Sequence, residues 1–374
     1  MALIYNATFD KNTRKLSFED KAGNEIYSFT VPKRAPTVDD ITKPLTFRAT
    51  QDGSTVTLVK NKSPSGAFQT SRDGGNTWAD YTIGTAITLN TGDEVSFRAK
   101  ADRTSAQSDL DYFHFNTTGK IEAWHNVMSL YRANDFATYN TVVSYAFYHL
   151  FFNCPSLTKA PALPATTLAK GCYTSMFSSC QSLTKAPELP ATTLATECYK
   201  SMFSVCQSLT KAPELPATTL AQYCYMAMFF NCPSLTKAPV LPATTLETYC
   251  YYRMFYGCQS LTKAPVLPAT TLAKGCYTSM FGGCQSLTKA PELPATTLAN
   301  YCYWGMFENC QSLKEVRISA TTIAPNAEDV LTGWLSGVSG TGDFYCNPNA
   351  TIFPTGTSGI PSGWRRLNIN DYPN

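Results

Sequence analysis

Cysteine and histidine are the residues here best able to act as nucleophiles or metal ligands, and the chain has fourteen and three of them. Thirteen of the cysteines fall in two columns. One runs Cys154, Cys180, Cys206, Cys232, Cys258, Cys284 and Cys310, in steps of 26 residues. The other runs Cys172, Cys198, Cys224, Cys250, Cys276 and Cys302 at the same period. The resulting spacings, alternately 18 and 8, do not match zinc-site spacings. A catalytic thiolate would need a base beside each near-identical copy. The columns therefore read as buried thiols packing as small apolar residues, with disulfides as the alternative. His114, His125 and His149 lie far from one another in sequence, and no HExxH, CxxC, GxSxG or phosphate-cradling glycine loop is present. Glu188, Glu214 and Glu292 share one repeat position, but Ala162, Val240 and Val266 fill it elsewhere. That argues against a general acid–base pair. No catalytic residue, metal or cofactor is expected, and the chain reads as a non-enzyme.

One local motif is sharper. Ser71, Asp73, Gly75, Thr77 and Trp78 spell SRDGGNTW. This resembles the Asp-box hairpin of sialidases, in which an aspartate bonds the following amides and glycines take positive φ. Sialidases carry several copies and this chain has one. The stretch is expected to be a stable hairpin, with a glycan-cleaving enzyme as the third functional reading.

The elements that position these residues follow from the 26-residue period. Six full units read C(Q/P)SLTKAPxLPATTLxxxCYxxMFxx over 154–309. A degenerate unit precedes them, with Phe147, Leu150 and Phe151 at the Tyr, Met and Phe positions. In each unit SLTK predicts a strand of about three residues, ended by prolines such as Pro161 and Pro164. Leu168, Cys172, Tyr173, Met176 and Phe177 fall at i, i+4, i+5, i+8 and i+9, which predicts a short helix capped by Thr167. Like residues of stacked units would shield one another from water. The expected fold is mixed β/α: a leucine-rich-repeat-type solenoid of 26-residue units preceded by small β-sandwich modules. The segments are 1–35, a small β module; 44–118, an immunoglobulin-like β-sandwich; 119–153, an N-terminal cap and degenerate repeat; 154–323, the solenoid; and 324–374, a C-terminal cap. The cap is expected to contain a helix over Glu328–Val338, with Trp334 and Trp364 as anchors.

The repeat resembles the BspA-type leucine-rich repeats of bacterial surface proteins, whose units carry a CxSLT start, a following LP and an aromatic before the next cysteine. The resemblance covers about 144–323. The chain departs from the common unit in its length, in Ala-Pro where a β-branched pair is usual, and in CYxxMF. The resemblance implies adhesins that bind cell-surface ligands, and similar repeats occur in phage tail and virion proteins.

Net charge is +3 with 30 basic and 27 acidic residues among 374, which gives no bulk argument for nucleic acid. The apolar run Ala2 to Tyr5 is too short for a signal peptide, and no stretch is long enough for a membrane span. Two surfaces could bind a partner. A row of Lys159, Lys185, Lys211, Lys237, Lys263 and Lys289 could attract an anionic polymer such as an acidic glycan, or stand as a solvated row. The positions where units disagree hold Tyr223, Met226, Tyr249, Tyr252, Arg253, Tyr256, Tyr301 and Trp304, with Thr174, Ser175, Lys200 and Phe230 nearby. These read as a contact patch or as drift on an exposed face. The expected role is adhesion: a virion tail or fibre component recognising a cell-surface glycan or protein, with the N-terminal modules tethering it to other virion proteins. An exported bacterial surface antigen is the alternative, and a homo-oligomer is compatible with either.

Overall fold

The computed structural model describes residues 6–9, 15–19, 22–30, 38–62, 66–103, 108–356 and 358–372. The remainder of the expected 1–35 β module lies outside them. Strands β1 (Asn6–Phe9), β2 (Lys15–Glu19) and β3 (Glu25–Thr30) form an antiparallel meander.

Eight strands follow: β4 (Leu45–Ala49), β5 (Ser54–Asn61), β6 (Phe68–Ser71), β7 (Ala79–Tyr81), β8 (Ile87–Leu89), β9 (Glu94–Ala99), β10 (Tyr112–Thr118) and β11 (Ile121–Trp124). β10-β5-β8 make one sheet. Alternation along β5 and β10 buries Val56, Leu58, Phe113 and Phe115. These meet Phe47, Phe68 and Phe97 of the other sheet, with Phe47 and Phe115 rings 4.6 Å apart. That second sheet runs β11-β4-β9-β6-β7 and continues through β11 into β12 (Leu157–Lys159), the first strand of the repeats. β11 lies antiparallel to β4 and parallel to β12, so one strand belongs to both bodies. The core is continuous as well: Phe115 stacks on Phe151 at 5.5 Å and Phe151 on Phe177 at 5.3 Å.

The repeats stack as expected but contain no helix. Among the described residues the only helical elements are two 3₁₀ turns, Val127–Leu130 and Ile369–Asp371. The mixed β/α expectation is therefore corrected. In place of the helix the chain makes consecutive four-residue turns. Gly171, Ser175 and Ser179 sit at φ +59°, +52° and +64°, so every fourth residue is left-handed. The N–H groups alternate between two kinds of partner. Thr174, Met176 and Ser178 donate three residues back, to Gly171, Tyr173 and Ser175. Tyr173, Ser175 and Phe177 donate across to Cys198, Lys200 and Met202 of the next unit, at 3.0, 2.8 and 2.9 Å. A left-handed residue every fourth position cannot lie in an α-helix, which needs uninterrupted right-handed φ and i→i−4 bonds.

The same ladder recurs in each unit. Thr167 does not cap a helix but bridges to Thr141. The expected helix over Glu328–Val338 is likewise another round of the ladder, with Asp329, Gly333 and Gly337 left-handed and Tyr303, Gly305 and Phe307 donating to Val330, Thr332 and Trp334.

On the opposite side the strand shrinks. Full strands appear at β12 and, beyond β13 (Thr297–Leu298), at β14 (Glu315–Arg317). Between them, single bridges join Lys185 to Lys211 and Lys211 to Lys237. Proline two residues after each lysine, Pro161 after β12 included, removes the N–H that would extend the ladder further.

Within the solenoid, Leu183, Cys172, Met176 and Phe177 and their equivalents are wholly buried. The tyrosine column stacks ring on ring, from Tyr173–Tyr199 at 5.9 Å to Tyr277–Tyr303 at 6.1 Å. Each buried Leu or Phe contributes roughly 1.5–3 kcal/mol. Beyond the last unit lie β15 (Thr322–Ile323), β16 (Gly342–Cys346) and β17 (Trp364–Asn368), and β14-β16-β17 form a parallel sheet. Trp334 closes the ring columns, stacking on Tyr303 at 6.2 Å and donating its indole N–H to the Gly359 carbonyl.

Candidate binding surface

All fourteen cysteines are unpaired and buried. The thiols of one column serve as donors: Cys180 Sγ lies 3.1 Å from the Phe151 carbonyl and Cys206 Sγ 3.1 Å from that of Phe177, a pattern kept through Cys310. Burial pushes Cys172, Cys224 and Cys302 up to about 12, so the nucleophilic thiolate is suppressed. Among the described residues no group of three His, Cys, Asp or Glu could hold a metal ion, and no helix is long and apolar enough to cross a membrane.

The SRDGGNTW turn is a closed hydrogen-bonded cap. Asp73 accepts from the Asn76 and Thr77 amides, both at 3.0 Å, and from the Ser71 and Thr77 hydroxyls, both at 2.6 Å. These bonds hold its carboxyl far below the usual carboxylate range. Trp78 donates to the Gly75 carbonyl and carries Arg98 on its ring, 4.2 Å from the centroid. Both carboxylate oxygens are committed to the turn.

The lysine row divides into ends and middle. Lys159 is drawn into the junction with the preceding module, 2.8 Å from Asp39 and 3.8 Å over the Trp124 ring. Lys289 pairs with Glu315 at 2.9 Å and lies over Tyr372. The repeat that would continue the row thus puts a carboxylate in it. Lys185, Lys211, Lys237 and Lys263 are exposed and make no ion pair among the described residues. Beside them run shallow proline-lined grooves. One, of about 340 Å³, lies between Lys185–Pro190 and Lys211–Pro216 and is rimmed by Glu188 and Glu214 as well as the lysines. Another brings Val38 and Ile41 against the first units. The row is therefore interleaved with Glu188 and Glu214 at Lys185 and Lys211, and with exposed Val240 and Val266 at Lys237 and Lys263.

The second surface is the outside of the turn ladder, and the ladder's geometry brings its residues together. Tyr223 and Tyr249 stack at 5.5 Å with planes 5° apart, and Phe230 and Tyr256 at 5.3 Å. Tyr252 stands edge-on to Tyr249 at 5.8 Å, and Arg253 lies over both Tyr252 and Tyr256, at 5.1 and 5.6 Å. Met226 is half-buried among them in chain order. Side chains lean toward the next unit: the Tyr249 ring covers Gly275, leaving no room for a Cβ there. Unit five is small along this face, with Gly275, Thr278, Ser279, Gly282 and Gly283. Tyr301 and Trp304 form a separate pair beyond it, with Trp304 45% exposed and Tyr301 bonded to Glu328.

Sequence reasoning missed a further cluster on the same face. In the degenerate unit, His149 stacks between Tyr148 (3.9 Å) and Phe152 (4.5 Å) and meets Tyr112 of β10 edge-on. Its Nδ1 is buried without a partner, and burial, with His114 nearby, lowers its pKa to about 4. The signal was present in Tyr145, Tyr148, His149 and Phe152, which occupy the same outward columns as Tyr249, Tyr252, Arg253 and Tyr256.

Comparison with known proteins follows from this geometry. The family described as BspA type Leucine rich repeat region matches in six copies, over residues 137–262 and 196–327, together more than half of the chain. No curated protein and no solved structure matches the chain. An uninterrupted 26-residue period, like residues stacked in columns and this match lead to one assignment: the chain belongs to the BspA-type leucine-rich repeat family.

Proposed function

We propose that this protein is a non-enzymatic binding or adhesion protein that recognises a surface ligand through the outer face of its turn ladder. Membership of the BspA-type family is consistent with such a role. The observation that carries it is the cluster of Tyr223, Tyr249, Tyr252, Arg253 and Tyr256, held in fixed mutual orientation on a rigid ladder, with the exposed Trp304 beyond. Tyrosine, tryptophan and arginine are the residues that dominate binding energy at interfaces, and preorganisation lowers the entropy lost on contact. Two groups suited to catalysis are otherwise engaged: the thiols are buried and protonated, and Asp73 is saturated by its turn.

The finer reading is a virion tail or fibre component. The strand shared by β-module and solenoid supports it, because it would transmit a fixed orientation from tether to recognition face. Neighbouring tail genes would favour this placement, whereas a leader encoded upstream would move the protein to a bacterial cell surface. The binding face is tested on a panel of intact bacterial cells. Tyr252→Ala and Trp304→Ala are each expected to weaken cell binding by about tenfold, the scale of an interface hot spot, while leaving the thermal midpoint unchanged. Retained binding in both variants would remove the turn face from consideration.

A further inference from the structure

The turn face of units three and four offers donors without acceptors. Among the described residues, the phenol hydroxyls of Tyr223, Tyr249, Tyr252 and Tyr256 make no hydrogen bond, and the Arg253 guanidinium has no carboxylate partner. A guanidinium can only donate, in a fork that matches a carboxylate.

Arg253 also sits where the fold asks for something smaller. Its φ is +52°, and the same position in the other full units holds Ser175, Ser201, Ala227, Ser279 and Gly305. Positive φ is common to the whole column, His149 of the degenerate unit included, but among the full units only this one carries a long cation, exposed and without an ion-pair partner among the described residues.

Ring geometry selects the class of partner. A sugar stacks on an open aromatic face, and here the faces of Tyr249 and Tyr256 are covered on both sides. Tyr223 and Tyr249 cover each other, as do Phe230 and Tyr256. The far face of Tyr249 lies on Gly275, and that of Tyr256 on Gly282, where an added Cβ would come within 2.7 Å of the ring. Tyr252 carries Arg253 on its ring. What remains without a polar partner among the described residues is the phenol hydroxyls and a guanidinium. We infer that this patch docks an acidic segment of a protein partner, with Arg253 taking a carboxylate and the surrounding phenols donating to it. The inference rests on the turn face being the binding surface.

The test uses the full chain with poly-L-glutamate and polygalacturonate as probes. Poly-L-glutamate is expected to bind, and Arg253→Gly to weaken it about tenfold or more, the scale of one charge-assisted pair. The thermal midpoint of Arg253→Gly should hold or rise, because glycine relaxes a positive φ. Unchanged affinity in Arg253→Gly would overturn the inference, as would a fall in its midpoint. So would an equal loss in Lys211→Ser, which would assign the binding to the lysine row. Polygalacturonate bound as tightly, with the same dependence on Arg253, would replace the protein partner by a glycan. If Tyr252→Ala abolishes cell binding and Arg253→Gly leaves it intact, the surface stands and the acidic partner falls.

Discussion

Val205 occupies a left-handed position, φ +61°, where a β-branched side chain is least at ease. Its column equivalents are Asn153, Ser179, Asn231, Gly257, Gly283 and Asn309. Exchange for glycine should therefore stabilise the protein, by about 1 kcal/mol after glycine's own entropy cost is set against the strain removed. Thermal unfolding of Val205→Gly reads this, and a lower midpoint would show that the valine packs usefully enough to offset its backbone. Gly171 tests the opposite sign, since a Cβ there would stand 2.5 Å from Tyr145. At this scale much was legible. The Leu, Cys, Tyr, Met and Phe columns declare themselves by repetition, and burial follows. The outward residues Tyr252, Arg253 and Trp304 were found because they break the pattern. Their ring stacking was not legible, because it depends on a backbone direction that residue types do not encode.

The turn ladder shows why the helix was expected and did not form. Apolar residues at i, i+4, i+5, i+8 and i+9 suit a 3.6-residue period, but over nine positions they suit a four-residue period as well. The distinguishing sign was the residue at every fourth place, Gly171, Gly257, Gly275 and Gly283 with Asn153, Asn231 and Asn309 among them, all residues tolerant of positive φ. The strand was overestimated too, since between β12 and β14 only single bridges at Lys185, Lys211 and Lys237 remain of it. The ladder also dictates a response to pH. Buried thiols such as Cys172 and Cys224 move from an ordinary 9.0 to about 12. Above about pH 9 the unfolded chain releases protons that the folded chain keeps, so stability falls as pH rises, steeply because many thiols act together. Below about 6.5 the unfolded chain gains a proton at His149 that the folded chain refuses until about 4, so stability also declines toward acid. The thermal midpoint should thus peak between these limits, and a midpoint unchanged from pH 8 to 10.5 would contradict the burial of the columns.

For the whole molecule, the core residues of the full units recur every 26 residues, so one unit is removable. Deleting 180–205 places Cys206 after Ser179 with all columns in register. It should give a folded, shorter solenoid with an unchanged far-ultraviolet spectrum per residue. Deleting half as many residues should abolish cooperative unfolding. Loss of structure in the full-unit deletion would show that the solenoid is not additive. The order of parts along the chain could be read from composition and turn residues, whereas the shared strand could not. β11 is only four residues long, and its pairing with β12 depends on Ile121 meeting Leu157 across more than a whole unit of chain.

The inter-unit bonds of the ladder, such as Tyr173 to Cys198, run along the stacking direction rather than across it. A tensile load between the two ends would strain each rung head-on. Rungs so arranged give way one after another, so the molecule would lengthen in equal increments and dissipate work at each step.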